Sequence, residues 1–439
     1  MTATKPVVGY AGMTHLGLNS AVASAELGFD MVCFDPDESR IAPLRKGELP
    51  VVEPELPELL AKNRDRIAFT SDPADLARCD LVYVAPDVPT DDAGASDTGP
   101  LEALIAVVDK AMRPDAVMVI LSQVSPGFTR PLPRPGAVKY YQVETLIFGR
   151  AIERAMYPER FIVGCDDPEV PLPPALATYL AAFDNCPILP MRYESAELAK
   201  ISINVCLVAS VSVANTLGEL CEKIGADWSE IVPALKLDRR IGPYSYLAPG
   251  LGIAGGNLER DLATVCRFSD RYGTDSGFIR AMIANSQYRR HWPLRRLHEV
   301  LLSQVADADP VVAVWGLAYK QDTHSTKNSP SLAFLSALGP FRVQAFDPVV
   351  KADPAFHPRI EGADSALAAL EGAEVLAIMT PWPAFREIGP AEIAARMSGR
   401  LVLDPYAVLD RKAAQAAGLD LQTLGVDLGA AAPARAAAE

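Results

Sequence analysis

Short apolar runs bounded by turn residues alternate along this chain with longer segments whose apolar positions recur at helical spacing. The runs are continuous, as in strands buried on both faces of a parallel sheet. Pro6-Val-Val-Gly-Tyr-Ala-Gly12 is the first. A helical segment follows through about Leu27, and then a second run, Asp30-Met-Val-Cys-Phe-Asp35. Asp80-Leu-Val-Tyr-Val-Ala85 and Ala116-Val-Met-Val-Ile-Leu-Ser122 continue the alternation. This order predicts a doubly wound, mostly parallel sheet whose domain ends near Phe183.

The first of these units carries a ligand signature. Strand, glycine turn, helix, strand and acid form the βαβ arrangement that cradles a dinucleotide. Gly9 and Gly12 fill the second and third places of G-x-G-x-x-G, while Val7 occupies the first. Pyrophosphate is expected on the helix N-terminus, with Asp35 on the ribose hydroxyls. A carboxylate there repels a 2′-phosphate and so favours NAD over NADP, a preference that nearby Arg40 softens.

From Glu194 to Gly225 runs a long helical pattern without Pro, whose only interior Gly is Gly218. It predicts a helix that ties two domains together and offers an oligomer interface. Lys200, Asn204 and Leu207 fall on one face of it, and a Lys and an Asn among apolar neighbours need partners. Pro249-Gly-Leu-Gly-Ile-Ala-Gly-Gly-Asn-Leu-Glu-Arg-Asp261 then reads as a binding loop, rich enough in Gly to bring backbone close to a ligand. It runs into a helical segment from Leu262. A second alternating set opens at Val311–Lys320 and continues through Phe341–Pro348, Val375–Thr380 and Leu401–Pro405. The expected fold is α/β: two Rossmann-like doubly wound domains joined by a long central helix with a helical dimerisation region. The expected boundaries are 1–190, 191–300 and 301–428, with a fraying, Ala-rich tail over 429–439.

Composition narrows the reading. At 439 residues the chain exceeds what one core serves. No apolar run approaches the roughly 20 residues of a membrane span, and the first residues leave no room for a signal peptide. A formal charge of −14 argues against nucleic acid, which needs basic patches. The seven cysteines lack C-x-x-C or Cys/His spacing, so no metal site is expected. Their apolar contexts, Met-Val-Cys33-Phe and Val-Cys206-Leu-Val among them, suggest buried, reduced thiols in a cytoplasmic protein.

Taken in order, these segments resemble the UDP-glucose/GDP-mannose dehydrogenase family. Its G-Y-V-G-L is met by Gly9-Tyr10-Ala11-Gly12-Met13, its D-x-n-x-x-R/K by Asp35 to Arg40, and its Y-E-P-G-L by Val52-Glu53-Pro54-Glu55-Leu56. A-E-L-x-K-x-x-x-N appears as Ala196 to Asn204, and the Arg-Ile-Gly ahead of the substrate loop as Arg240-Ile241-Gly242. G-L-x-F-K-x-D-T appears as Gly316 to Thr323, with Ser329-Pro330 following. The resemblance implies an NAD domain, a central helical dimer region and a nucleotide-sugar domain. It also implies oxidation of a C6 alcohol to a carboxylate with two NAD+, by way of a cysteine thiohemiacetal and thioester.

The site residues it implies are as follows. Lys200 would steady the developing alkoxide, Asn204 and Asp261 would hold water, and Glu144, matching the Glu of P-E-F-L, would assist as base. The cofactor would meet Gly9, Tyr10, Ala11, Gly12, Met13, Asp35, Arg40, Val88, Gln123 and Lys327. The sugar nucleotide, a UDP-sugar first, would meet Thr145, Leu146, Arg240, Tyr246, Gly252 and Ile253, with Lys320 on its diphosphate. Arg240 resembles a residue that reaches the neighbouring subunit's sugar site, which implies a homodimer.

Departures cluster at the chemistry. G-F-G-G-S-C-F-P-K-D lies without a gap over Gly252 to Asp261, so Asn257 stands where the cysteine belongs. The Thr of S-T-V-P becomes Gln123, T-P becomes Val88-Pro89, and the acid before Gly149 becomes Phe148. An amide forms no thioester, so the expected reaction is a single hydride transfer. It would give a keto or aldehyde sugar, or a redox-neutral epimer. The alternatives are a full 6-dehydrogenase that works without a thioester and a catalytically silent nucleotide-sugar binder.

Overall fold

The computed structural model describes residues 5–91, 94–184, 186–301 and 310–427. The chain divides into two compact units, Met1–Ile203 and Asn204–Glu439. The expected tail over 429–439 lies outside the described residues.

The first unit is built on eight strands: β1 (Val8–Ala11), β2 (Met31–Phe34), β3 (Ile67–Thr70), β4 (Leu81–Val84), β5 (Val117–Ile120), β6 (Lys139–Gln142), β7 (Phe161–Cys165) and β8 (Ile188–Arg192). Their order is β3-β2-β1-β4-β5-β6-β7-β8. All neighbours pair parallel except β6 with β7, which run antiparallel. β1, β2, β4 and β5 are buried at every residue, which is why the sequence shows them as unbroken apolar runs. β8 escapes that signal: it is an edge strand, partly exposed, with Pro190 inside it. Chain order reverses between β1 and β4, the switch point where open α/β sheets bind ligands. Helix α1 (His15–Glu26) packs its Ala- and Ser-rich length beside that point and is buried over almost all of it. A short helix α2 (Ala151–Met156) follows the loop after β6.

Helix α3 (Tyr193–Ile224) spans 32 residues and contains the division between the units. It is long and apolar enough to cross a membrane by length and composition. This corrects the expectation that no run approaches that length. Its Ser, Thr and Asn residues interrupt the apolar run to the eye without making the helix polar. Two of these polar groups are consumed by protein partners: Asn204 donates to Asp261, and Asn215 Oδ1 accepts the Gly250 N–H at 2.8 Å.

The second unit carries α4 (Asn257–Tyr272), α5 (Gly277–Arg290) and α6 (Trp292–Leu301), and then a six-stranded sheet. Its strands are β9 (Val311–Trp315), β10 (Arg342–Phe346), β11 (Ile360–Gly362), β12 (Val375–Ile378), β13 (Leu401–Leu403) and β14 (Asp420–Gln422), in the order β11-β10-β9-β12-β13-β14. Every pairing is parallel. Trp315, Leu376 and Ile378 anchor one face, and Leu335, Val312 and Leu403 the other. Each such side chain stabilises the fold by roughly 1.5–3 kcal/mol on burial.

Candidate functional site

At the switch point of the first unit, Gly12 has φ of 97° and leaves no room for a side chain: a Cβ there would lie 2.7 Å from the Pro86 nitrogen. Behind it, a Cβ on Gly17 would overlap the Gly12 carbonyl oxygen, so α1 seats directly on the turn. Asp35 follows β2, buried, and accepts N–H bonds from Met13 at 2.8 Å and Asp37 at 3.0 Å. A carboxylate offers about four acceptor sites, so Asp35 keeps capacity for ribose hydroxyls. Arg40 stands 3.9 Å from it. These residues fit a dinucleotide. Asp87 intrudes from the loop after β4, its carboxylate accepting the His15 N–H at 3.1 Å at the start of α1.

Of the expected cofactor residues on β1, Tyr10 and Gly9 have packing contacts of their own. Tyr10 points into the core, stacked on Tyr83 at 5.0 Å with its hydroxyl 2.9 Å from that of Tyr179. A Cβ on Gly9 would meet Val82 at 3.0 Å and Cys79 at 3.1 Å, so this glycine serves strand packing. Fully buried strands hide their alternation, and the sequence therefore could not say which way Tyr10 faces. Ala11 and Met13 are buried, whereas Val88 and Gln123 are half-buried in the loops beyond β4 and β5.

Past β6 the chain turns through Glu144, whose carboxylate lies 2.7 Å from Lys200 Nζ on α3. Lys200 also donates to the Glu144 carbonyl at 3.0 Å, and Glu144 Oε2 accepts the Leu146 N–H. Both side chains are mostly shielded but reachable. Thr145 and Leu146 follow, half-buried. One turn before Lys200, buried Glu197 accepts the Gly127 and Thr129 N–H groups and so holds the loop that carries Gln123. Burial raises its carboxyl above the ordinary range.

In the second unit, Asn204 Nδ2 donates to Asp261 Oδ2 at 2.5 Å, and Arg260 Nε lies 3.2 Å from Asp261 Oδ1. Asn257, exposed, is the first residue of α4, so it and Asp261 share a face one turn apart. The helix thus begins five residues before the expected Leu262. Glu259 explains the difference: its carboxylate accepts the Gly256 N–H at 3.1 Å, which satisfies the amide ahead of the first turn and starts the helix early. The same carboxylate receives Asn328 at 2.7 Å and Arg290 at 3.2 Å. Gly252 has φ of 85° and would place a Cβ 2.5 Å from the Ser286 carbonyl, while the Ile253 N–H donates to Ser286 Oγ. The Gly255 N–H donates to the Lys327 carbonyl at 3.1 Å, so the loop and Lys327 come together.

Lys320, Arg240 and Tyr246 are the remaining expected sugar-nucleotide residues. Lys320 sits half-buried after β9, 5.8 Å from the centre of the Tyr319 ring. Arg240 pairs with Asp238 on an exposed segment that also carries Tyr246. Asp347 holds in the second sheet the place Asp35 holds in the first. Its two oxygens already accept four N–H groups, from Leu317, Ala318, Val349 and Val350, and the Trp382 indole besides. No capacity is left there for a ribose.

Five cysteines are buried as expected, but Cys186 is half-buried and Cys206 exposed. Apolar neighbours in sequence do not set the face of a helix, and Cys206 lies about 200° around α3 from Asn204. Cys266 on α4 packs with Ile253 and Leu262 in a small apolar cluster. Sequence reasoning missed His15 as a site residue, and passed over Glu53 except as part of a motif. His15 Nε2–H donates to Glu53 Oε1 at 2.7 Å, both buried. A buried ionisable pair 38 residues apart in sequence leaves no periodic trace.

Comparison with known proteins places these features. Three sequence profiles of the UDP-glucose/GDP-mannose dehydrogenase family match in order: the NAD binding domain over 7–172, the central domain over 194–287 and the UDP binding domain over 313–411. UDP-glucose 6-dehydrogenase of Pseudomonas aeruginosa is 30% identical over 419 residues, 90% of this chain and 91% of that one. UDP-glucose 6-dehydrogenase TuaD of Bacillus subtilis is 27% identical over 94% of this chain and 92% of its own. The UDP-glucose dehydrogenase structure from Pyrobaculum islandicum superposes with a TM-score of 0.81 at 26% identity, covering 94% of this chain and 96% of the other.

Proposed function

This chain belongs to the UDP-glucose/GDP-mannose dehydrogenase family, and we propose that it performs a single hydride transfer on a nucleotide-linked sugar, a UDP-sugar first. The family's enzymes are NAD-dependent nucleotide-sugar oxidoreductases. The observation that carries the narrower reading is Asn257. It opens α4 one turn from Asp261, and the loop's resemblance to the family pattern sets it against the cysteine nucleophile. Bound NAD+ supplies the hydride acceptor. Lys200 donates to the sugar oxygen and stabilises its developing charge, and Glu144 beside it takes the proton. Without a thiol at that place the carbonyl product is not held covalently. It leaves as a keto or aldehyde sugar, or takes the hydride back on its other face as an epimer.

A second reading rests on the Asn204–Asp261 bond, which suits two groups that hold a water. On that reading an aldehyde is oxidised further as its hydrate, without a thioester. Incubation with UDP- and GDP-sugars and NAD+ separates the two. One NADH per sugar, or none with an altered sugar by NMR, supports the single transfer. Two NADH with the mass gain of a carboxylate sinks it. Asn257→Cys is expected to produce measurable uronic acid where the native protein produces little, because a thiolate at the start of a helix is activated for attack.

We also propose a cytoplasmic homodimer. Val213, Leu217, Leu220 and Ile224 on α3 are between 42% and 63% exposed and follow the four-three spacing of a helix–helix seam. A second copy of the same helix is the occupant that matches such a stripe. Leu217→Glu, which puts charge in the seam, is expected to halve the mass measured by light scattering. An unchanged mass would remove α3 from the interface.

A further inference from the structure

We infer that His15, Glu53 and Phe148 form a wall for the nicotinamide end of the cofactor, with the Phe148 ring as the surface on which nicotinamide stacks. The inference rests on the NAD site and is independent of which sugar is oxidised.

The geometry begins with Glu53, which is buried and accepts from three directions. His15 Nε2–H donates at 2.7 Å, Gly149 N–H at 2.9 Å and Ala151 N–H at 3.2 Å. One carboxylate therefore ties the first residue of α1 to the loop after β6 and to the start of α2. With its Nε2 held, the imidazole lies against Phe148, ring centres 4.1 Å apart and planes inclined by 31°. His15 is buried beneath, while Phe148 is 49% exposed. An aromatic ring is thus braced from below and open above. Ordering an exposed side chain costs conformational entropy, and a buried His–Glu pair spent on that task is explained if a second ring covers the open face.

The fold says which ring. Asp35 follows β2 and marks the adenosine side of the switch point, and pyrophosphate lies at the start of α1. The other half of the dinucleotide then runs over the carboxyl ends of β4, β5 and β6. His15 opens α1, and Phe148 lies in the loop that leaves the carboxyl end of β6. The position just before Gly149, an acid in the family's pattern, is here an aromatic. Offset ring pairs are favourable in themselves.

The test compares NAD+ with ADP-ribose, which keeps the adenosine and pyrophosphate but lacks nicotinamide. Both are titrated calorimetrically into the native protein and into Phe148→Ala, His15→Ala and Phe148→Trp. For the two alanine variants the dissociation constant for NAD+ is expected to rise about tenfold, and that for ADP-ribose to stay within about twofold. Phe148→Trp restores NAD+ binding. Phe148 is exposed, so its removal leaves the fold intact even where His15→Ala does not. Equal losses for both ligands would mean a merely structural role, and no loss for either would mean nothing stacks there; each result overturns the inference. No turnover is needed, so the proposed reaction can fail without touching this outcome.

Discussion

Lys200→Ala is expected to lower kcat for nucleotide-sugar conversion by about a thousandfold or more, with the KM for NAD+ within about threefold of the native value. Two effects add. The developing charge on the sugar oxygen loses its cationic donor, and Glu144 loses the ammonium held 2.7 Å from its carboxylate. Neither touches Gly12 or Asp35, so cofactor binding is spared. Lys200→Arg keeps a positive charge on a longer, planar fork that no longer reaches both the Glu144 carboxylate and its carbonyl. It is expected to recover only part of the rate. Steady-state assays that follow both NADH and the sugar decide it. A kcat for Lys200→Ala within about tenfold of native would exclude Lys200 from the chemistry.

Glu222→Ala is expected to destabilise the second unit by about 3–5 kcal/mol. Arg289 is fully buried, and its guanidinium donates to Glu222 Oε1 at 2.9 Å, with Glu219 farther off at 3.4 Å. The same carboxylate accepts the Trp292 indole at 3.1 Å and the Gly425 N–H at 3.0 Å. Removing it leaves a charge and two neutral donors buried without that partner. The four tryptophans, Trp228, Trp292, Trp315 and Trp382, all lie in the second unit. Denaturant unfolding followed by tryptophan fluorescence therefore reads the affected unit directly. A midpoint shift worth less than about 1 kcal/mol would mean that Arg289 finds other partners at little cost.

The two predictions draw on different kinds of legibility. Lys200 could be singled out in sequence because it stands on one face of an apolar helix with Asn204, and an unpaired charge there demands an explanation. Glu222 and Arg289 gave no such sign. Each sits in a charged cluster near a helix end, where a solvated side chain is the ordinary expectation. Only packing shows that Arg289 is sealed from water. The glycine loop was legible as a loop ahead of a helix, yet that helix starts earlier than expected because Glu259 bonds back to the Gly256 amide.

Hydrophobic period, turn residues and motif order were sufficient for the class of fold, the cofactor unit and the long helix. These are local properties: they depend on neighbours within a few residues, and the chain states them directly. Which face Tyr10 and Cys206 present, that Asp347 has no acceptor to spare while Asp35 has, and that Glu53 joins His15 to the Phe148 loop were decided by tertiary structure alone. Each depends on groups far apart in the chain meeting in a water-poor interior. There a hydrogen bond or a charge acquires its energetic weight from surroundings that no stretch of sequence contains.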